Sequence, residues 1–169
     1  MRILHAADLH LDSAFAALSA DRARQRRRES RDILNTLAEL AQREKVDLVL
    51  LSGDLFDGER VYPETIEQLK NALQKMICPV FISPGNHDPY TPRSPYAKED
   101  WPKNVYIFRT EELTGVALPR LDCIVHGAAF TQQHRTTEAL DGFTVPEDGQ
   151  LHLLCLHGAV NEPGSEYGN

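Results

Sequence analysis

Cysteine is scarce and scattered in this chain. Cys78, Cys123 and Cys155 are the only three in 169 residues, and no two form a Cys-x-x-Cys. That spacing excludes a Cys-x-x-Cys metal or redox site, and the three read as small apolar core residues in a reducing compartment. Long apolar runs are absent too. No segment can span a bilayer, and no signal-peptide core follows the first strand, so a cytoplasmic protein without a membrane partner is expected. Positive charge is not in surplus: 25 acidic residues face 18 basic ones, a net charge of -7. This excludes a generally basic nucleic-acid coat but leaves room for a local basic track. No internal repeat or linker interrupts the sequence, so residues 1–169 read as one domain around one core.

What is present is an alternation of strand and helix patterns. Arg2 to Ala7 reads as a short strand. Residues 20–44 are helical, with Ile33, Leu34, Leu37, Leu40 and Ala41 forming one apolar stripe. Val46 to Ser52 is a continuous apolar run, the pattern of a strand covered on both faces. Pro63 to Met76 reads as a second helix with Pro63 in its first turn, and Pro79 to Ser83 as a third strand. The order implies a right-handed strand–helix–strand–helix–strand unit and an α/β layered fold. Beyond it, Asp88 to Lys103 reads as an irregular loop rich in Pro and Tyr. Val105 to Phe108, Gly115 to Leu118, Asp122 to His126 and Leu151 to Leu156 read as strands, and Thr131 to Leu140 as a short helix. The tail, Asn161 to Asn169, has no apolar periodicity.

Four polar motifs sit where strands end: Asp8-Leu9-His10, Gly53-Asp54-Leu55-Phe56-Asp57, Gly85-Asn86-His87-Asp88 and Leu156-His157-Gly158. Residues two apart in a strand share a face, so Asp8 and His10 can address one ion. Each motif alone has a plainer explanation as turn chemistry. Together they bring carboxylate, imidazole and amide ligands to the carboxyl ends of strands, where α/β sheets place their sites. Oxygen and nitrogen donors without thiolate suit a pair of hard or borderline divalent ions. Mn²⁺ is the first choice, with Mg²⁺, Fe and Zn²⁺ as alternatives. Two such ions can clamp the attacking and leaving oxygens of a phosphate ester. His87 is placed to donate a proton to a leaving oxygen. His5, His126, His134 and His152 lack such context and read as structural or exposed. Arg22, Arg24, Arg26, Arg27, Arg28 and Arg31 read first as a solvated helix face and second as a phosphate track. Phe15 reads first as core and second as a base-stacking side chain.

This motif series resembles the calcineurin-like metallophosphoesterase superfamily. The run His5-Ala6-Ala7-Asp8-Leu9-His10-Leu11-Asp12-Ser13 is most similar to SbcD- or YhaO-type DNA repair exonucleases. The resemblance implies a layered metallophosphoesterase sandwich. It also implies that Asp8 and His10 hold one metal, Asp54 bridges two, and Asn86 and His157 hold the second. His87 would serve as the proton donor, oriented by Asp57. The carboxylate at position 57 resembles the phosphatase pattern, where some nucleases of the family carry histidine.

The superfamily's later Gly-His-x-His segment does not occur here. The resemblance therefore implies the N-terminal portion of a longer protein; in this portion alone each metal lacks one histidine and binds more weakly, so weak or no activity is expected of it. The expected function is metal-dependent phosphodiester hydrolysis, as a DNA exonuclease of the double-strand-break repair type. The alternatives are a small-nucleotide phosphodiesterase or protein phosphatase, and a non-catalytic binding fragment. The partners implied are DNA, a coiled-coil ATPase of the SbcC or YhaN type, and a second copy of the chain.

Overall fold

A computed structural model describes residues 1–135 and 138–159. Its elements are β1 (Ile3–Ala6), α1 (Ala20–Arg43), β2 (Leu48–Ser52), α2 (Pro63–Lys75), β3 (Val80–Ser83), α3 (Pro95–Lys98), β4 (Val105–Ile107), β5 (Thr114–Leu118), β6 (Cys123–Gly127) and β7 (Leu151–Cys155). The first sheet has the order β1-β2-β3-β4, with every pair parallel. The second has the order β5-β6-β7, antiparallel then parallel.

The continuous apolar run of β2 is explained by burial on both faces. Val49 and Leu51 join Leu34, Ala38 and Ala41 of α1 and Ile66, Leu69 and Leu73 of α2 in one core. Leu48 and Leu50 point the other way, where they meet Phe81, Phe108, Val125 and Cys155 between the two sheets. Burying one such side chain contributes about 1.5–3 kcal/mol. The result is a layered α/β structure, with helices on one face of the parallel sheet and a second sheet on the other. The stripe of α1 is rotated slightly from the expected one: Ile33 is 42% exposed, and Ala38 takes an inward place. Cys123 and Cys155 are buried and Cys78 half-buried, all three as free thiols.

The segment expected as a helix over Thr131 to Leu140 is not one. Residues 131–135 and 138–140 form bends, turns and an isolated bridge, and 136–137 lie outside the described residues. Threonine is a weak helix former. Thr131 Oγ1 instead donates to the Glu111 carboxylate, and Arg135 donates to the Glu111 carbonyl at 2.6 Å. The tail from Asn161 lies outside the described residues. The loop from Asp88 is more ordered than expected, since α3 gives it one helical turn. Among the described residues, no helix is long and apolar enough to cross a membrane.

One side chain joins the exit of α2 to the entry of β3. Asn104 Nδ2 donates to the carbonyls of Leu73, Met76 and Cys78 at 3.1, 2.6 and 3.1 Å. The last carbonyls of a helix need partners of this kind. Asn104→Ala should cost about 1–3 kcal/mol by leaving acceptors unpaired. Asn104→Asp, with the same shape, should cost more because it aims a carboxylate at three carbonyl oxygens. Urea unfolding of the two variants checks the order; an aspartate variant as stable as the parent would refute this role.

Candidate metal centre

The site begins with backbone. The pairing of β1 with β2 continues past the strand ends: Asp8 N–H donates to the Gly53 carbonyl at 3.1 Å, His10 N–H to Asp54 at 2.9 Å, and Leu11 N–H to Leu55 at 2.8 Å. Asp57 N–H returns to the Leu11 carbonyl at 3.0 Å. The two ligand-bearing loops are thus zipped together. Asp8, His10 and Asp54 all adopt left-handed backbone, with φ of 55°, 42° and 52°. Such residues cost about 1–3 kcal/mol each and gather where surrounding structure overrides local preference.

Two glycines let the loops approach. Gly53 has φ +80°, and a Cβ there would overlap the His157 ring. A Cβ on Gly85 would overlap both the carboxylate and the backbone nitrogen of Asp54. The motif glycines are therefore contact requirements as well as turn formers.

Asp54 lies at the centre. Its Oδ2 is 3.7 Å from His10 Nε2 on one side and 3.4 Å from His157 Nε2 on the other. Its Oδ1 accepts the His87 backbone N–H at 3.0 Å. His157 Nε2 is also 3.0 Å from Asn86 Oδ1. Asp8, His10 and Asp54 present ligand atoms that all lie within 4.8 Å of one another. His10, Asp57 and His87 form a second such group.

The outer nitrogens of the two histidines are fixed by acceptors. His10 Nδ1 is 3.0 Å from Asp57 Oδ1, and His157 Nδ1 is 3.3 Å from the Ser52 carbonyl. A carbonyl or carboxylate can only accept, so Nδ1 carries the proton and Nε2 turns a lone pair inward. That is the usual arrangement of metal-ligating imidazoles. The inner groups are then all acceptors: the carboxylates of Asp8 and Asp54, the Asn86 oxygen, and two imidazole nitrogens. A cation resolves that crowding, and the residues present fit a divalent metal.

The electrostatics agree. Burial pushes the Asp54 carboxyl up, but the His157 hydrogen bond, the His87 N–H and both imidazole charges outweigh it and hold it below its usual value. Burial pushes His157 down, while Asp54, the Ser52 carbonyl and Asp8 together raise it above the ordinary imidazole range. Without a metal, the pocket attracts a proton in its place.

All seven motif residues gather at the carboxyl ends of β1, β2, β3 and β7. The expectation for Asp57 named His87 as its partner. The hydrogen bond goes to His10, and His87 Nδ1 stands 3.5 Å from the same oxygen. The His87 side chain is 44% exposed.

Sequence reasoning assigned no role to Asp88, although it completes the third motif. Asp88 is buried and accepts from Gly85 N at 2.8 Å, Phe56 N at 3.0 Å and Tyr96 Oη at 2.6 Å. It ties the third motif loop to the second. Burial pushes its carboxyl up to about 6 although those three donors pull the other way.

His126 and His152 lie on the second sheet rather than at the motif loops. His126 Nε2 meets His152 Nδ1 at 2.8 Å, and His152 Nε2 meets Asp148 at 3.0 Å. Of the α1 arginines, Arg22, Arg24, Arg26 and Arg28 are exposed, as the solvated-face reading expects, whereas Arg27 and Arg31 are half-buried. Arg24 pairs with Asp21, Arg26 with Glu29, Arg31 turns inward to Asp12, and Arg27 lies over the Tyr62 ring. Phe15 is half-buried, and His5 and His134 are exposed.

Known proteins are similar in sequence to half of this chain or more. YhaO of Bacillus subtilis, described as an uncharacterized metallophosphoesterase, is 29% identical over 98% of this chain and 42% of its own length. The SbcD component of the Escherichia coli nuclease SbcCD is 35% identical over 52% of this chain and 21% of its own length. A probable cyclic nucleotide phosphodiesterase of Coxiella burnetii is 30% identical over 52% of this chain and 32% of its own. The chain thus spans less than half the length of each of these relatives. The family model for calcineurin-like phosphoesterases matches residues 1–166, so the chain belongs to that family, whose members hydrolyse phosphoesters with divalent metal ions.

Proposed function

We propose that this chain carries the catalytic site of a dinuclear-metal phosphodiesterase acting on DNA as an exonuclease. The observation that carries the reading is Asp54 Oδ2, placed between His10 Nε2 at 3.7 Å and His157 Nε2 at 3.4 Å. Asp8 and His10 would hold one ion, Asn86 and His157 the other, and Asp54 both. Mn²⁺ is the proposed metal, because the donors mix oxygen and nitrogen without thiolate. Bound there, the ions supply Lewis-acid polarisation of the phosphoryl oxygens.

The chain's own residues supply proton transfer and orientation. Asp57 beside His87 Nδ1 leaves Nε2 as the nitrogen free to face substrate, and the exposure of that ring suits donation to a leaving oxygen. Asp57 also fixes the tautomer of His10, so one carboxylate serves both the ligand and the acid. DNA is favoured as substrate by the similarity to a nuclease component, and a coiled-coil ATPase of the SbcC or YhaN type is the proposed partner. The similarity to a probable cyclic nucleotide phosphodiesterase makes a small phosphodiester the competing substrate. Assays of linear duplex DNA, a cyclic nucleotide and a simple aryl phosphodiester, at equal Mn²⁺, decide between them. Release of nucleotides from DNA ends is expected of a protein that also carries the later histidine segment, and little or none from these 169 residues alone; hydrolysis of the cyclic nucleotide alone would overturn the DNA reading.

Two substitutions test the roles. Asp54→Ala should abolish binding of the metal pair, read as Mn²⁺ stoichiometry by calorimetry. Unchanged stoichiometry would refute the bridge. His87→Ala should leave metal content nearly intact and slow turnover by about 10²–10⁴, the usual range for loss of a general acid. Parallel loss of metal and activity would instead make His87 a ligand.

A further inference from the structure

Asp12 closes the first motif run without a role in the chemistry above. It has left-handed backbone, with φ 65°, and its side chain is 2% exposed. Oδ1 accepts from Thr65 Oγ1 at 2.8 Å and from the Arg31 guanidinium at 3.2 Å. Oδ2 accepts the Tyr62 backbone N–H at 2.9 Å. Tyr62 is the N-cap of α2, and Thr65 lies in its first turn. One carboxylate therefore fastens the loop after β1 to α1 and to the amino end of α2, where the helix dipole favours negative charge.

Stability alone is a poor reason for this arrangement. A buried ion pair pays for desolvation, and apolar replacements of similar volume are often as stable. What a three-way buried carboxylate adds is direction. His10 lies two residues before it. Ser13 closes the turn between them, its N–H and Oγ both donating to the His10 carbonyl at 3.2 and 2.9 Å. A tight turn whose far end is pinned to two helices fixes where its near end aims.

We propose that Asp12 is a positioning residue, which sets the reach of His10 to the metal held with Asp8 through its anchor on Arg31, Thr65 and Tyr62. The inference rests on the metal reading above. It predicts asymmetry: loosening the anchor weakens the ion on the His10 side and spares the one on Asn86 and His157. Loss of an outer-shell partner of a metal ligand commonly costs about 10–100-fold in affinity.

The test is stepwise Mn²⁺ titration of the full chain by electron paramagnetic resonance, with thermal unfolding of the metal-free protein alongside. The step lost in His10→Ala marks the ion to follow. Thr65→Val removes one anchor from α2, outside the metal shell, without shortening the side chain. Asp12→Asn keeps shape and removes charge. Both should weaken that step by about 10–100-fold and leave the other unchanged. A lower melting temperature with both steps intact would make the anchor purely structural and overturn the inference. Equal weakening of both steps would overturn it as well. A parent protein that binds no Mn²⁺ would overturn the metal reading and the inference together, which separates the two failures. Should Asp12→Asn fail to fold, Thr65→Val carries the test alone.

Discussion

Crowding of lone pairs is the constraint around which this molecule is organised. Two carboxylates, an amide oxygen and two imidazole nitrogens converge within a few ångströms, and only a metal ion, or a proton on His157, gives these atoms reason to approach one another. Backbone holds them there. The N–H groups of Asp8, His10 and Leu11 bind the carbonyls of Gly53, Asp54 and Leu55, and the His87 N–H binds Asp54 itself. Left-handed backbone at three of the converging residues is tolerated because the parallel ladder beneath it is already fixed.

The sandwich supplies that ladder as a by-product of its topology. A parallel sheet releases successive loops from the same edge, so three motifs arrive together with no special folding device. The fourth comes from the facing sheet. Cys155 ends β7 against Ser52 and Leu51 at the end of β2, which sets His157 directly over Gly53. Asp88 then performs for the loops what the ladder performs for the strands, with a buried carboxylate linking Gly85, Phe56 and Tyr96.

Much of this was legible in the sequence, for physical reasons. Continuous apolar runs such as 46–52 read as strands because both faces are covered, and polar residues after such runs can only sit at sheet edges. The helices of 20–44 and 63–76 announced themselves by periodicity. Less legible were features that depend on contacts distant in sequence. Thr131 to Leu140 lost its helix to bonds with Glu111. Asp57 gave its hydrogen bond to His10, 47 residues away, while standing beside the expected His87. The His126–His152–Asp148 chain joins residues that no local motif connects. Asp12 looked like motif flank, because its partners lie 19 and 53 residues downstream.

The place of His157 has a consequence for how the protein is made. Asp8, His10, Asp54 and Asn86 emerge from the ribosome well before it, and 71 residues separate His157 from Asn86. Domains form from the amino end during synthesis, at about 5–20 residues per second. For several seconds, then, the nascent chain holds an acidic, half-built cluster that lacks the His157 imidazole. Only docking of the second sheet brings that ligand in. The three-stranded sheet is in this sense a timing element, withholding His157 from the centre until the sandwich has closed.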